Sequence, residues 1–383
     1  MSNTTNLAHL VALAGFGLAF VFGAVANRTH FCALGAVSDV VNMGDWGRMR
    51  MWLLAIAVAI IGANTLQLMG LVDLSKSIFL RPNLTWLSFL VGGFCFGIGM
   101  TLASGCGNKT LVRIGGGNLK SLVVLVFLGI AAYMTLRGLF GVWRVNLLDP
   151  VVVDFAARGL SGQDMPTLLA AATGMARNNA LMATASSLAG GLLIFVFANS
   201  EFRRNFDHIF GGLVIGLLVT AGWYVTAHLG YAENPDTLEM TFFGTNTHAA
   251  ESFSFVAPIA FSLELLMLWT DKSLAITFGI ASVIGVILGS FAYAIATGSF
   301  RLEGFVSATD TRTHIIGAIL MGFGGVTSLG CTIGQGISGF STLALGSIIT
   351  FFAIIAGAMV TMKYQYWRMM HEIDTSASAT KHR

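Results

Sequence analysis

The chain has 383 residues, 55% of them apolar and 10% charged, with 21 Lys and Arg, 18 Asp and Glu, and a mean hydropathy of +0.77. A soluble domain averages about 25% charged residues, so this composition cannot clothe a water-soluble protein; 46 Gly with only 5 Pro also exclude a collagenous or disordered chain. The basic residues stand singly between apolar runs and form no stripe, so the net charge of +3 is no sign of a nucleic-acid binder. What remains is an all-α polytopic membrane protein whose solvent is the lipid bilayer, with small residues letting its helices approach closely.

Crossing roughly 30 Å of hydrocarbon takes about 20 apolar residues. Runs of that kind occur at 7–26, 51–72, 84–104, 119–140, 179–198, 208–228, 273–298, 313–330 and 343–362, which predicts nine transmembrane helices. The first run lacks a basic leader and a small-residue cleavage site, so it reads as a span rather than a signal peptide. Segments 29–43, 105–116 and 331–342 are too apolar for open loops yet short or broken, and are predicted as re-entrant helices. Segment 253–270 is long enough to cross but contains Pro258 and Glu264.

Charge decides its status. Nine crossings with the N-terminus outside put about twice as many Lys and Arg inside as outside, including Lys363, Arg368, Lys381 and Arg383 of the tail. They leave the outer loop 229–252 acidic through Glu233, Asp236, Glu239 and Glu251. A tenth crossing would carry the basic tail outside, so 253–270 is predicted as re-entrant. In the long outer loop, 163–174 reads as a short amphipathic helix lying on the membrane, with Pro166 near its start.

An internal repeat organises these elements. Laying Cys106 on Cys331 pairs Gly92 with Gly317, Gly97 with Gly322, Gly99 with Gly324 and Gly105 with Gly330. Five crossings separate the two copies, so they point in opposite directions through the membrane. The chain thus divides into a first repeat at 1–140, a linking region at 141–207, a second repeat at 208–362 and a cytoplasmic tail at 363–383. Inverted repeats bring interrupted helices to the midplane, where free N–H groups favour an anion.

Of the four cysteines, Cys95 lies inside a span and reads as a small buried residue, whereas Cys32, Cys106 and Cys331 each sit at the lip of a re-entrant segment. They have neither the spacing of a metal site nor a disulfide framework, and no metal or other cofactor is predicted. A neutral thiol is a weak donor and a polarisable contact, suited to passing a sulfur-bearing anion without trapping it. Gly105, Lys109, Gly330, Thr332 and Gln335 are supporting candidates: the glycines for the turn, Thr332 and Gln335 for polar contacts in an uncharged segment. Lys109 and Arg113 either draw an anion to the inner mouth or anchor the cytoplasmic face. Asp39 and Glu264 invite proton coupling, with pairing to a nearby Arg as the alternative. His30, beside Cys32, could activate a thiol or be merely interfacial.

Three motifs, Asn27-Arg28-Thr29-His30-Phe31-Cys32 with Gly35 and Asp39, Ser104-Gly105-Cys106, and Gly330-Cys331-Thr332-Ile333-Gly334-Gln335-Gly336, resemble those of the YeeE/YedE family of sulfur-compound transporters. The similarity runs over nearly the whole chain, and the third motif is the most specific. It implies thiosulfate uptake across a bacterial or archaeal inner membrane, with the C-terminus cytoplasmic and Cys32, Cys106 and Cys331 relaying the substrate by S–H to S hydrogen bonds. It also implies a small cytosolic sulfur-carrier protein as a partner, and other members are linked to selenium or to other sulfur species. The competing class is a membrane thiol enzyme, a sulfurtransferase working through a persulfide. Cys331 has no basic residue within ten positions, which disfavours it as a reactive thiolate. No phosphate-binding G-x-x-x-x-G-K-[ST] loop is present, so the chain is not expected to hydrolyse ATP.

Overall fold

A computed structural model describes residues 2–235, 237–305 and 307–381. Asp236 and Arg383, counted above in the acidic loop and the basic tail, lie outside the described residues, as does the side chain of Lys381.

The first half holds α1 (Ser2–Arg28), α2 (Ala33–Met43), α3 (Gly47–Leu68), α4 (Trp86–Leu102), α5 (Gly107–Gly115), α6 (Leu119–Arg137) and α7 (Leu139–Trp143). Next come α8 (Met165–Thr173), α9 (Arg177–Phe197), α10 (Ser200–Arg204), α11 (Phe206–Tyr224), α12 (Val256–Met267), α13 (Phe278–Ala296), α14 (Ala308–Thr327) and α15 (Leu345–Lys381). Two small two-stranded sheets lie between helices: β1 (Asn83–Leu84) pairs antiparallel with β2 (Val153–Asp154), and β3 (Tyr231–Glu233) with β4 (Met240–Phe242). Polar side chains start several long helices, as at Asn118, which accepts the Ser121 N–H at 3.0 Å, and Ser307, which accepts the Asp310 N–H at 3.2 Å.

Each apolar run of the sequence corresponds to a long helix. Among the described residues, eight stretches are long and apolar enough to cross a membrane. The remaining predicted span, 313–330, became α14, which begins earlier, at Ala308, and so takes the polar turn around Asp310 and Arg312 into the helix. The segments predicted as re-entrant are short: α2, α5, α12 and a π-helical turn at Gly334–Gly339. At 1.5 Å per residue, the 12 residues of α12 extend roughly 18 Å, too little to cross.

A helix stands where the amphipathic one was predicted, at Met165–Thr173. Asp164 caps α8 by accepting the Thr167 N–H at 3.1 Å and hydroxyl at 2.7 Å. Gln163 and Asp164 are buried, because Gln163 accepts the N–H groups of Leu345 and Gly346 at 3.2 Å each. The first turn therefore docks on the free N–H groups at the start of α15.

Long helices pack in matched pairs: α1 on α13 and α3 on α11, α4 on α15 and α6 on α14, with α4 and α14 central. Glycines set the closest approaches. A Cβ on Gly99 would stand 2.6 Å from the Gly317 carbonyl oxygen, and one on Gly317 2.7 Å from that of Gly99. A Cβ on Gly324 would likewise meet the Gly92 carbonyl oxygen at 2.5 Å. These contacts fix α4 and α14 antiparallel at backbone distance.

Candidate functional site

Cys32, Cys106 and Cys331 follow three copies of one local structure. α1, α4 and α14 each run out into a left-handed residue: His30 at φ 52°, Ser104 at φ 57° and Leu329 at φ 58°. The next N–H closes back over five residues, from Phe31 to Ala26 at 3.1 Å, Gly105 to Met100 at 2.9 Å and Gly330 to Gly325 at 2.7 Å. This is the Schellman end, which uses up carbonyls that lipid cannot solvate. The cysteine comes immediately after, at the corner where a short helix or turn begins.

Glycine takes the left-handed position where α3, α5 and α13 end in the same way, at Gly70, Gly117 and Gly298. At the thiol corners a side chain occupies it instead, at a cost of about 1–2 kcal/mol each. Backbone held at such a cost clusters at functional sites. Ser104→Gly is accordingly expected to raise stability by about 1 kcal/mol, read as a later thermal unfolding transition in detergent. Arg113 braces this corner, donating from Nη1 to the Ser104 carbonyl at 2.8 Å.

The thiols are buried, at 7% exposure for Cys32, 1% for Cys106 and 0% for Cys331. Gly35 donates its N–H to Cys32 Sγ and Gly334 to Cys331 Sγ, both at 3.4 Å. Cys106 stands within electrostatic reach of both other thiols, so the three residues, distant in sequence, converge. Half-buried Cys95 stays within α4 and lines neither of the cavities described next.

Two cavities approach this cluster from opposite ends of the α4–α14 pair. The first, about 860 Å³, opens by Thr101 and Ser104 at the C-terminal end of α4 and includes Cys32 in its wall. Arg48, Lys109, Arg113 and Lys363 make it basic. The second, about 320 Å³, lies between Phe79 and Arg81, which precede α4, and Gly325 to Gly330, which end α14. Arg144 and Glu251 complete its charged lining. Cys106 and Cys331 lie in neither wall, though Ser104 lines the first cavity and Gly330 the second.

Two buried polar side chains lack a hydrogen-bond partner of good geometry among the described residues: the Thr332 hydroxyl, which stands at the Cys106 sulfur, and Asn108, two residues after Cys106 and 1% exposed, whose amide atoms are both unpaired. Unsatisfied buried groups cost about 1–3 kcal/mol and call for a reason. A bound anion with several acceptor oxygens would supply one.

The supporting candidates separate by what they touch. A Cβ on Gly105 would stand 3.2 Å from Lys109 Cγ, and one on Gly330 3.0 Å from Gln335 Cγ, so both glycines keep the corners tight. Lys109 lines the first cavity within electrostatic reach of Cys32 and Cys106. Gln335 is committed: its Nε2 donates to the Ser328 carbonyl and its Oε1 accepts the Ser347 hydroxyl at 2.5 Å. It braces the π-helical turn through both amide atoms. Asp39 grips Arg48 with both oxygens, while Glu264 accepts from Arg137 at 2.9 Å and Tyr133 at 3.1 Å. Both carboxylates are therefore paired structural groups. His30 serves by its backbone at the corner of α1.

Sequence reasoning missed Asn108, Arg48, Arg81 and Arg144. Asn108 carried a signal, an amide next to a candidate thiol in an apolar stretch; the arginines looked like ordinary anchors at helix ends.

A multi-pass helical bundle with basic side chains in cavities at both ends, and buried thiols between them, has the form of a transport protein for a small anion. The chain belongs to the sulphur transport family, whose model matches residues 28–360. It is 25% identical over 348 residues to the thiosulfate transporter TsuA of Spirochaeta thermophila, covering 90% of this chain and 96% of that one. It is 24% identical over 339 residues to the thiosulfate transporter TsuA of Escherichia coli, covering 85% and 86%.

Proposed function

We propose that this protein takes up thiosulfate, or a closely related reduced sulfur anion, across a bacterial or archaeal inner membrane through a narrow conduit. The second cavity is the outer entrance and the first the inner exit, with the N-terminus outside and the tail in the cytoplasm. The anion passes Cys331, Cys106 and Cys32 in turn. The observation that carries this reading is the convergence of three thiol corners, with the unpaired Thr332 hydroxyl at Cys106, between two cavities whose linings reach Cys32 and Gly330. Thiol S–H groups suit the terminal sulfur, and the amide N–H and the hydroxyl suit the sulfonate oxygens.

The reciprocal contacts of Gly99 with Gly317 and of Gly92 with Gly324 support a two-copy organisation, 1–140 and 208–362, about an axis through the α4–α14 contact. Cys106 and Cys331 are then equivalent corners, and Ser254, in the wall of the second cavity, stands where Cys32 stands in the first. The open, basic inner cavity also suits a small cytosolic sulfur-carrier protein that takes the anion on exit.

The test of substrate is growth on thiosulfate as sole sulfur source in a host without its own sulfate and thiosulfate importers. Growth dependent on this gene is expected. Growth only with selenium compounds or other sulfur anions supplied would replace thiosulfate as the substrate.

One observation favours a second reading, sulfur transfer through a persulfide. Cys32 caps α2 and has Lys109 and Arg48 near its sulfur, the setting of a reactive thiolate. Such a thiolate would attack the terminal sulfur of thiosulfate and expel sulfite, leaving a persulfide. Intact-mass measurement during turnover decides: a 32 Da adduct on Cys32, one sulfur atom, would establish transfer, and unmodified protein leaves transport of the intact anion.

A further inference from the structure

The outer cavity contains one acid. Glu251 lies in the extended stretch after β4, outside the spanning helices. The bridge between Ala250 and Ser77 fixes its backbone, as does Thr226, whose hydroxyl donates to the Glu251 carbonyl and accepts its N–H at 3.3 Å. Its carboxyl accepts the Thr247 hydroxyl at 3.2 Å and a backbone hydrogen bond from Asn246. Glu251 is half-buried, and it lines the second cavity. Unlike Asp39 and Glu264, Glu251 has no ion-pair partner among the described residues.

A fixed negative charge is the wrong lining for the entrance of an anion conduit. The same surroundings disfavour that charge, since a carboxylate taken out of water without a cation is costly. Burial pushes the Glu251 carboxyl up to about 7.

The charged and titratable groups around it are few. Arg81 and Arg144 share the cavity, and Arg144 is already paired with Asp149 at 3.3 Å. Lys76, on the bridging stretch, is turned to the Tyr231 hydroxyl at 2.6 Å and to Asp73 at 3.8 Å. His228, two residues from Thr226, bonds the Leu71 carbonyl at 2.9 Å, and His248 is exposed.

We propose that Glu251 is the proton site of the conduit: its carboxyl must be neutral for a sulfur oxyanion to occupy the cavity beside Arg81 and Arg144, so each anion enters with a proton. This rests on the transport reading above and adds its coupling ion. Linkage works both ways: an anion in the cavity raises the proton affinity of Glu251, and the proton raises the anion affinity by the same factor. The proton also cancels one of the two negative charges that thiosulfate carries against an inside-negative membrane potential.

Two measurements on the purified full-length protein in lipid nanodiscs and in proteoliposomes test this. In weakly buffered nanodiscs at pH 7.5, thiosulfate binding should take up protons, reported by a pH indicator dye. In proteoliposomes, the initial rate of labelled thiosulfate uptake should fall about tenfold as the outer pH rises from 6 to 8, following the neutral fraction of a single group titrating near 7. Histidines change charge in the same range, so the variants discriminate. Glu251→Gln should abolish both proton uptake and the pH profile, and Glu251→Asp, which keeps a carboxyl, should retain them. Thiosulfate binding to the wild type without proton uptake, or an unaltered pH profile in Glu251→Gln, would overturn the proton site and leave transport standing. Failure of the wild type to bind thiosulfate at either pH would overturn both.

Discussion

Asn108→Leu is expected to unfold at a higher temperature than the wild type and to take up thiosulfate at about a tenth of its rate or less. The two effects have one cause. Asn108 is 1% exposed in α5, two residues after Cys106, and neither amide atom has a partner. Replacing an unsatisfied buried amide by an apolar group of similar shape removes a penalty of about 1–3 kcal/mol. If that penalty is retained because the amide holds the anion, the stabilised variant loses the contact that the substrate needs. A merely structural Asn108 would give the opposite pairing, a less stable protein with proportionate loss of uptake. Thermal unfolding in detergent and uptake at matched membrane abundance separate the two.

Leucine at Gly99 or Gly317 is expected to abolish accumulation of folded protein in the membrane. Each Cβ would fall 2.6 to 2.7 Å from a carbonyl oxygen of the facing helix, and backbone cannot give way as a side-chain tip can. Overpacking in yielding cores costs about 1–3 kcal/mol, and a contact of this kind belongs at or beyond the upper end. In lipid no hydrophobic force offsets a gap between helices, so close packing is what holds α4 on α14. Gly190 in α9 has open space around its Cβ position, and Gly190→Leu should accumulate normally. Membrane abundance and gel-filtration profile of the three variants give the comparison.

The spans were legible in the sequence because lipid imposes length and apolarity together, and each predicted run became a long helix. α14 was the hardest case: its polar first turn, with Asp310 held by Lys120 at 2.7 Å, lowers its hydropathy without ending the helix. The shortness of α12 followed from charge rather than hydropathy, since only the basic tail argued against a tenth crossing. The thiol corners were half legible. Cysteines beside glycine marked them, but nothing in the residues His30, Ser104 and Leu329 announces a left-handed backbone, which is imposed by the Schellman bonds.

The chemistry of side chains was less legible than their positions. Gln335 looked available because sequence gives a residue's polarity and not its partners; Ser328 and Ser347 consume its amide. Asp39 and Glu264 left proton coupling and pairing with an arginine both open, and each found an arginine. Glu251 looked like one loop acid among several, and only folding sets it in the lining of one cavity with Arg81 and Arg144. Burial and pairing decide between such readings, and both are set by residues far away in the chain.

The most direct test of the central claim, that the buried thiols pass the anion, is labelled thiosulfate uptake into proteoliposomes holding equal amounts of folded wild type, Cys95→Ala, and the double variant with Cys106→Ala and Cys331→Ala. The account predicts uptake by the first two and none by the double variant, whose unchanged thermal unfolding would show that the fold survives. Uptake by the double variant at the wild-type rate would contradict it.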